Sequence, residues 1–142
     1  MAKARRPAEE ALHTAKWART MTKWLIKYSS RKGARWQVVN FVGKKGAESR
    51  GVVDLMAVRK DHRGKSTPPL KAGDLFEIIL IQTKGGSAGR PTENDVRRLS
   101  AVKKRYGAKQ VVLATWRRGQ KLGVELLEGG KWTGASPAKV FG

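Results

Sequence analysis

Two apolar runs of strand length, R-G-V-V-D-L-M-A-V-R over 50–59 and D-L-F-E-I-I-L-I-Q-T-K over 74–84, bracket a polar connection over 60–73 that carries Pro68-Pro69. Their density of Val, Ile and Leu predicts two strands joined by a long loop. Successive side chains of a strand point to opposite faces, so Asp54 shares a face with Val52 and Met56, and Gln82 shares one with Lys84. A carboxylate inside an apolar strand is costly unless a metal or a cation meets it. A second strand that ends in an amide oxygen and an ammonium two residues apart can complete such a site. The chain must therefore build a sheet in which these two runs lie close, with the polar groups at one end.

A chain of 142 residues makes one domain with a real core. Its 31 Lys and Arg against 11 Asp and Glu give a formal charge of +20. The basic residues recur from Lys3 to Lys139 rather than in one tail. A self-repelling excess spread in this way points to a polyanionic partner bound over a broad surface. No apolar run approaches the roughly 20 residues that a membrane span needs, and M-A-K-A-R-R-P-A-E-E lacks the apolar core of a signal peptide. The expectation is a cytoplasmic or nucleoid-associated protein with no membrane partner. The absence of Cys excludes disulfides, thiolate metal sites and cysteine nucleophiles.

Residues 1–6 read as a basic tail. Pro7, with Glu9 and Glu10 in the first turn, opens a helix predicted to reach Ser29, roughly 34 Å long. Its apolar stripe is Leu12, Ala15, Ala18, Met21, Leu25 and Tyr28, with Lys16, Arg19, Lys23 and Lys27 on another side, either solvated or touching phosphate. R-W-Q-V-V-N-F-V over 35–42 is the first strand, and the glycine-rich turn Gly43–Gly51 leads into the Asp54 strand. Gly64-Lys65-Ser66 resembles the end of a phosphate loop, but Arg59 stands where its first glycine belongs and Pro68-Pro69 replaces the following helix. His13 and His62 have no partners of a metal cluster or triad and read as surface or packing residues. Thr92 and Asp95 suit a capping box for a helix over 93–106, packed through Val96, Leu99, Val102 and Tyr106 and closed by Gly107. Q-V-V-L-A-T-W over 110–116 is a strand buried on both faces, K-L-G-V-E-L-L over 121–127 a fifth, and the last twelve residues a loose return. Helix, three-stranded meander, helix, strand, strand gives an α/β architecture with a mixed sheet.

In this order, V-V-N-F-V-G-K-K-G-A-E-S-R-G-V-V-D-L-M-A-V, then L-I-Q-T-K-G-G, then R-L-S-A-V-K-K-R-Y-G-A-K-Q-V-V-L-A-T-W resemble the PD-(D/E)XK nuclease superfamily. Within it the chain is most similar to archaeal-type Holliday junction resolvases and their bacterial and phage relatives, over roughly 35–127. The resemblance implies a restriction-endonuclease-like αβββαβ core, a central mixed sheet flanked by helices, in a single domain over 1–142 with 128–142 as a C-terminal extension. It makes Asp54 the metal-binding aspartate, Lys84 the motif lysine, and the Thr83 backbone carbonyl a further ligand. Gln82 stands where most members have Glu or Asp. Glu10 or Glu9 is the candidate for an acid from the first helix, and Ser49 for the turn serine near the scissile phosphate. DNA contacts are expected from Lys44, Lys45, Arg50, Arg63, Lys65, Ser87, Arg90, Arg117 and Arg118. A homodimer is implied by symmetric branched substrates, with Trp116, Trp132, Phe141 and the final strand as its interface; the five Trp otherwise read as core anchors.

Phosphodiester hydrolysis adds water to an anionic centre. A Mg²⁺ (or Mn²⁺) ion suits it, because it takes hard oxygen ligands and keeps several waters, so two or three protein oxygens suffice. Gln82 brings an oxygen without charge. Glu77 does not replace it, lying five residues away on the other face unless a bulge intervenes, whereas Glu48 can approach from the turn. The leading expectation is a metal-dependent endonuclease acting on branched or duplex DNA. The others are a catalytically inactive nucleic-acid-binding module of the same fold that has lost its metal with Gln at position 82, and a sequence-specific restriction- or repair-type nuclease; the purely structural alternative for Asp54 and Lys84 is a buried ion pair without catalysis.

Overall fold

The computed structural model describes residues 7–41, 51–63, 67–86 and 89–142, with side chains from residue 13 onward. In chain order these form α1 (Pro7–Ser29), β1 (Gln37–Asn40), β2 (Leu55–Lys60), β3 (Phe76–Gly85), α2 (Glu93–Tyr106), β4 (Gln110–Trp116), β5 (Gly123–Glu128), β6 (Lys131–Gly134) and α3 (Pro137–Phe141). The six strands make one sheet in the order β1-β2-β3-β4-β5-β6. Only β3 and β4 are parallel, and α2 is the crossover that this direction requires. This is the α/β class expected, a central mixed sheet flanked by helices in the order αβββαβ.

The alternation of β3 divides the core. Ile79 and Ile81 pack with Leu55, Ala57, Val112, Ile26 of α1, and Val140 and Phe141 of α3. Leu80, one residue out of phase, packs with Val111 and Leu99 of α2 on the other face. Val111 to Ala114 are all buried, as a strand covered on both faces must be. Start and stop signals of α2 are both present: Thr92 and Asp95 bond reciprocally at 3.1 Å, and Gly107 closes the helix at φ 60°. Glu93 and Asp95 in the first turn and Lys103, Lys104 and Arg105 in the last suit the helix dipole.

Four expectations are corrected. Helix α1 turns Ala18, Arg19, Thr22 and Ile26 inward, while Tyr28 is 78% exposed. Thr22 is tolerated there because its hydroxyl donates to Ala18 O at 2.7 Å, and Arg19, read as a surface cation, is buried. Tyr106 of α2 is likewise exposed, so Leu99 with Val96 and Val102 makes that helix's packing face. The final residues are not a loose return: β6 pairs with β5, and α3 is capped by Ser136. Phe141 is fully buried, with Trp36 Nε1 donating to its carbonyl at 2.8 Å, so it belongs to the core and not to a dimer interface.

Sequence reading missed a buried ion network at the start of β3. Arg59 Nε donates to Glu77 at 2.8 Å, its other nitrogens reach Ala34 O and Gly142 O, and its guanidinium lies 4.0 Å from the centre of the Trp36 ring. Lys109 Nζ donates to the other Glu77 oxygen at 2.7 Å. Burial alone would raise the Glu77 carboxyl; the Lys109 and Arg59 hydrogen bonds and charges outweigh it and hold it below its ordinary range. Glu77 is thus committed to packing, away from Gln82.

Candidate functional site

Asp54 lies just before β2, where the ladder to β3 changes step. Leu55 pairs with Ile81, yet Asp54 N–H also donates to Ile81 O at 2.9 Å. Two consecutive residues thus oppose one, which is a bulge. The bulge leaves the next β3 donor without its usual ladder carbonyl, and the Asp54 carboxylate takes that place. Oδ2 accepts from Thr83 N–H at 2.8 Å and from the Thr83 hydroxyl at 3.3 Å. On the far side, Asp54 O accepts from Phe41 N–H at 3.0 Å, tying the aspartate to the chain leaving β1.

Thr83 stands between Gln82 and Lys84, so the carboxylate is fixed beside the middle of the triplet singled out in the sequence. Gln82 is 7% exposed, and its side-chain oxygen Oε1 is buried with no hydrogen-bond donor among the described residues. Lys84 is half-buried and makes no ion pair among the described residues. The end of β3 also lies close against α1. A Cβ on Gly85 would sit 2.9 Å from both the Thr14 methyl and the Thr14 carbonyl oxygen, so glycine is what permits the contact. Gly86, at φ 61°, turns the chain and donates to Trp116 O at 3.0 Å.

The chemistry of these donors fits a hard divalent cation. Asp54 supplies a carboxylate that Thr83 already holds in one orientation, and carboxylate oxygens are hard ligands. The buried Gln82 oxygen is an acceptor that lacks a donor and is therefore suited to a cation. Among the described residues no three His, Cys, Asp or Glu come together. Any ion held here thus rests on one described carboxylate, neutral oxygens and water, the ligand set that Mg²⁺ tolerates.

No family model and no curated protein matches the chain. Among solved structures it is similar to Hjc, a Holliday junction resolvase from the archaeal hyperthermophile Archaeoglobus fulgidus, at 15% identity and a TM-score of 0.46, over 87% of this chain and 98% of that one. A likeness at this level transfers no residue role and no activity.

The remaining expected residues divide in three. Ser49, Lys44, Lys45, Arg50, Lys65 and Ser87, with Glu48, lie outside the described residues. Glu9 and Glu10 are in the first turn of α1, Glu10 one helical turn before Thr14, with their side chains not described. Arg63, Arg117 and Arg118 are exposed, the last two leaving β4 directly after Trp116, the residue in register with Gly85. Arg90 is exposed too, but it spans both carboxylate oxygens of Glu125 at 3.0 and 3.2 Å, so part of its charge is already answered. The role of Thr83 as the donor that holds Asp54 was not foreseen. Its place between Gln82 and Lys84 was the available signal.

Proposed function

We propose that the chain is a divalent-metal-dependent endonuclease acting on DNA, with Asp54, Gln82, Thr83 and Lys84 as its centre. The observation that carries this reading is the Asp54 carboxylate fixed on Thr83, whose neighbours along β3 are a buried amide oxygen with no donor and a lysine with no ion pair among the described residues. Asp54, the Gln82 amide oxygen and the Thr83 carbonyl would hold Mg²⁺ or Mn²⁺, with Glu10, Glu9 or Glu48 as a further acid. When bound, the ion would polarise a phosphoryl oxygen and lower the pKa of its water. Thr83 keeps the carboxylate oriented by donating two hydrogen bonds to one oxygen. Lys84 places positive charge beside the centre where negative charge develops during hydrolysis. Arg63, Arg117 and Arg118, with Lys44, Lys45, Arg50 and Lys65, would contact phosphates, and the overall charge favours duplex or branched DNA over a small substrate. A homodimer would present two such centres to a symmetric junction.

A non-catalytic DNA-binding module is the second reading, favoured by the single carboxylate among the described ligand candidates. Labelled duplex, single-stranded and four-way-junction DNA incubated with Mg²⁺ or Mn²⁺ separates the two. Cleavage by the native chain that disappears in Asp54→Asn supports the nuclease. Binding without cutting at every metal concentration establishes the module instead.

A further inference from the structure

Helix α1 carries three Lys–aromatic dipeptides, Lys16-Trp17, Lys23-Trp24 and Lys27-Tyr28. The second and third begin seven and four residues after the one before, close to two turns and one turn of helix. The three rings therefore form one row along the helix and the three ammonium groups form a second row beside it. The residues that α1 buries, Ala18, Arg19, Thr22 and Ile26, lie on the opposite side. Trp17 is 39% exposed, Trp24 56% and Tyr28 78%, and all three lysines are exposed. The exposure of Trp17 and Trp24 departs from the expectation that the five Trp anchor the core, and Tyr28 beside them is more exposed still. His13 meets Trp17 edge-on at 6.0 Å, and Lys27 Nζ lies 5.9 Å from the Tyr28 ring centre.

We propose that this face of α1 is a binding surface for single-stranded nucleic acid, on which bases stack against Trp17, Trp24 and Tyr28 while Lys16, Lys23 and Lys27 follow the phosphates. Rings spaced about 10.5 and 6 Å along a straight helix offer separate platforms, and the adjoining cation row supplies the charge that a polyphosphate requires. A lipid surface fits less well. An interfacial helix inserts a continuous apolar face, whereas the aliphatic residues buried by α1 face the sheet and its outer row is rings set among lysines. Because Thr14 of α1 packs on Gly85, the row starts at the same end of the sheet as Asp54 and leads away from it. The inference stands apart from the cleavage chemistry, since stacking needs no metal.

The test is fluorescence anisotropy of the full chain in EDTA with oligo-thymidylate and with a duplex of equal length, at several salt concentrations. Replacing Trp17, Trp24 and Tyr28 together by Ala should weaken oligo-thymidylate binding on the order of a hundredfold, with duplex affinity changed less than about threefold and the salt slope retained. Trp24→Ala alone should cost about tenfold and Trp24→Tyr much less. Changing Lys16, Lys23 and Lys27 to Gln should lower the single-strand salt slope by about 2. Thermal unfolding by circular dichroism shows that each variant is folded. Unchanged oligo-thymidylate affinity in the folded triple variant overturns the proposal, as does equal loss on both ligands. Ring-dependent binding to anionic vesicles without a single-strand effect overturns it in favour of a membrane surface.

Discussion

A buried amide oxygen without a donor costs about 1–3 kcal/mol relative to a satisfied one, and among the described residues Gln82 Oε1 has none. Retaining it makes physical sense if a cation meets it in the working state. Replacing Gln82 by Met, similar in volume and without the polar atom, should stabilise the metal-free chain by about 1 kcal/mol. The same change should abolish any rise in unfolding temperature on adding Mn²⁺, because a ligand that binds only the folded state stabilises it. Calorimetry with and without metal reads both effects; a Mn²⁺ shift that survives Gln82→Met removes Gln82 from the site. Gln82→Glu restores charge and should lower the metal midpoint on the order of tenfold. In the proposed nuclease Lys84 would act on developing charge rather than on affinity, so Lys84→Ala should slow cleavage on the order of a hundredfold while duplex affinity changes less than about twofold. Similar losses in rate and binding would mean that Lys84 is only a phosphate contact.

At the scale of elements, the junction of α1 with β3 is the tightest contact near the site. Gly85→Ala would push a methyl against both the side chain and the backbone oxygen of Thr14, and overpacking of this kind typically costs about 1–3 kcal/mol. Adding Thr14→Ala should recover only part of that loss, since the carbonyl oxygen stays in place. Full recovery in a denaturant-unfolding double-mutant cycle would show that only the methyl collides. The first five strands and α2 were legible in the sequence because alternation, a capping pair and a terminal glycine are local signals, whereas β6 was read as part of a loose return. The inward face of α1 was not, because tertiary packing buries Ala18, Arg19, Thr22 and Ile26, a set that includes two polar residues and is offset from the apolar stripe that periodicity shows. Nor was α3, since what holds Phe141 in place is Trp36, over a hundred residues away. In the site, Asp54 and Gln82–Lys84 were readable as residue types at strand ends. The bulge that directs the carboxylate onto Thr83 was not, because it is a property of register between two strands.

Over the whole molecule, a net +20 works against compactness, and the buried carboxylate of Glu77 is one place where it is answered. Arg59 links that carboxylate to Ala34 before β1, to the Trp36 ring and to Gly142 beyond α3, so one ion network joins distant parts of the chain. Removing the charge with Glu77→Gln leaves the Arg59 guanidinium, 4% exposed, without its counter-charge. Loss of one partner from a buried pair typically destabilises by about 3 kcal/mol. The pH dependence follows from the direction of the shift. Because the folded carboxyl lies below its ordinary value of 4.5, its contribution is present above that pH and is lost as pH falls through the folded value. The stability difference between the native chain and Glu77→Gln should therefore be constant from neutral pH down to about 5, then shrink, and close once Glu77 is protonated in the folded protein. Urea unfolding of both chains along a pH series measures it. A gap that stays level through the acid limb would mean that Glu77 contributes by shape and not by charge, and that the network tolerates a neutral amide at its centre.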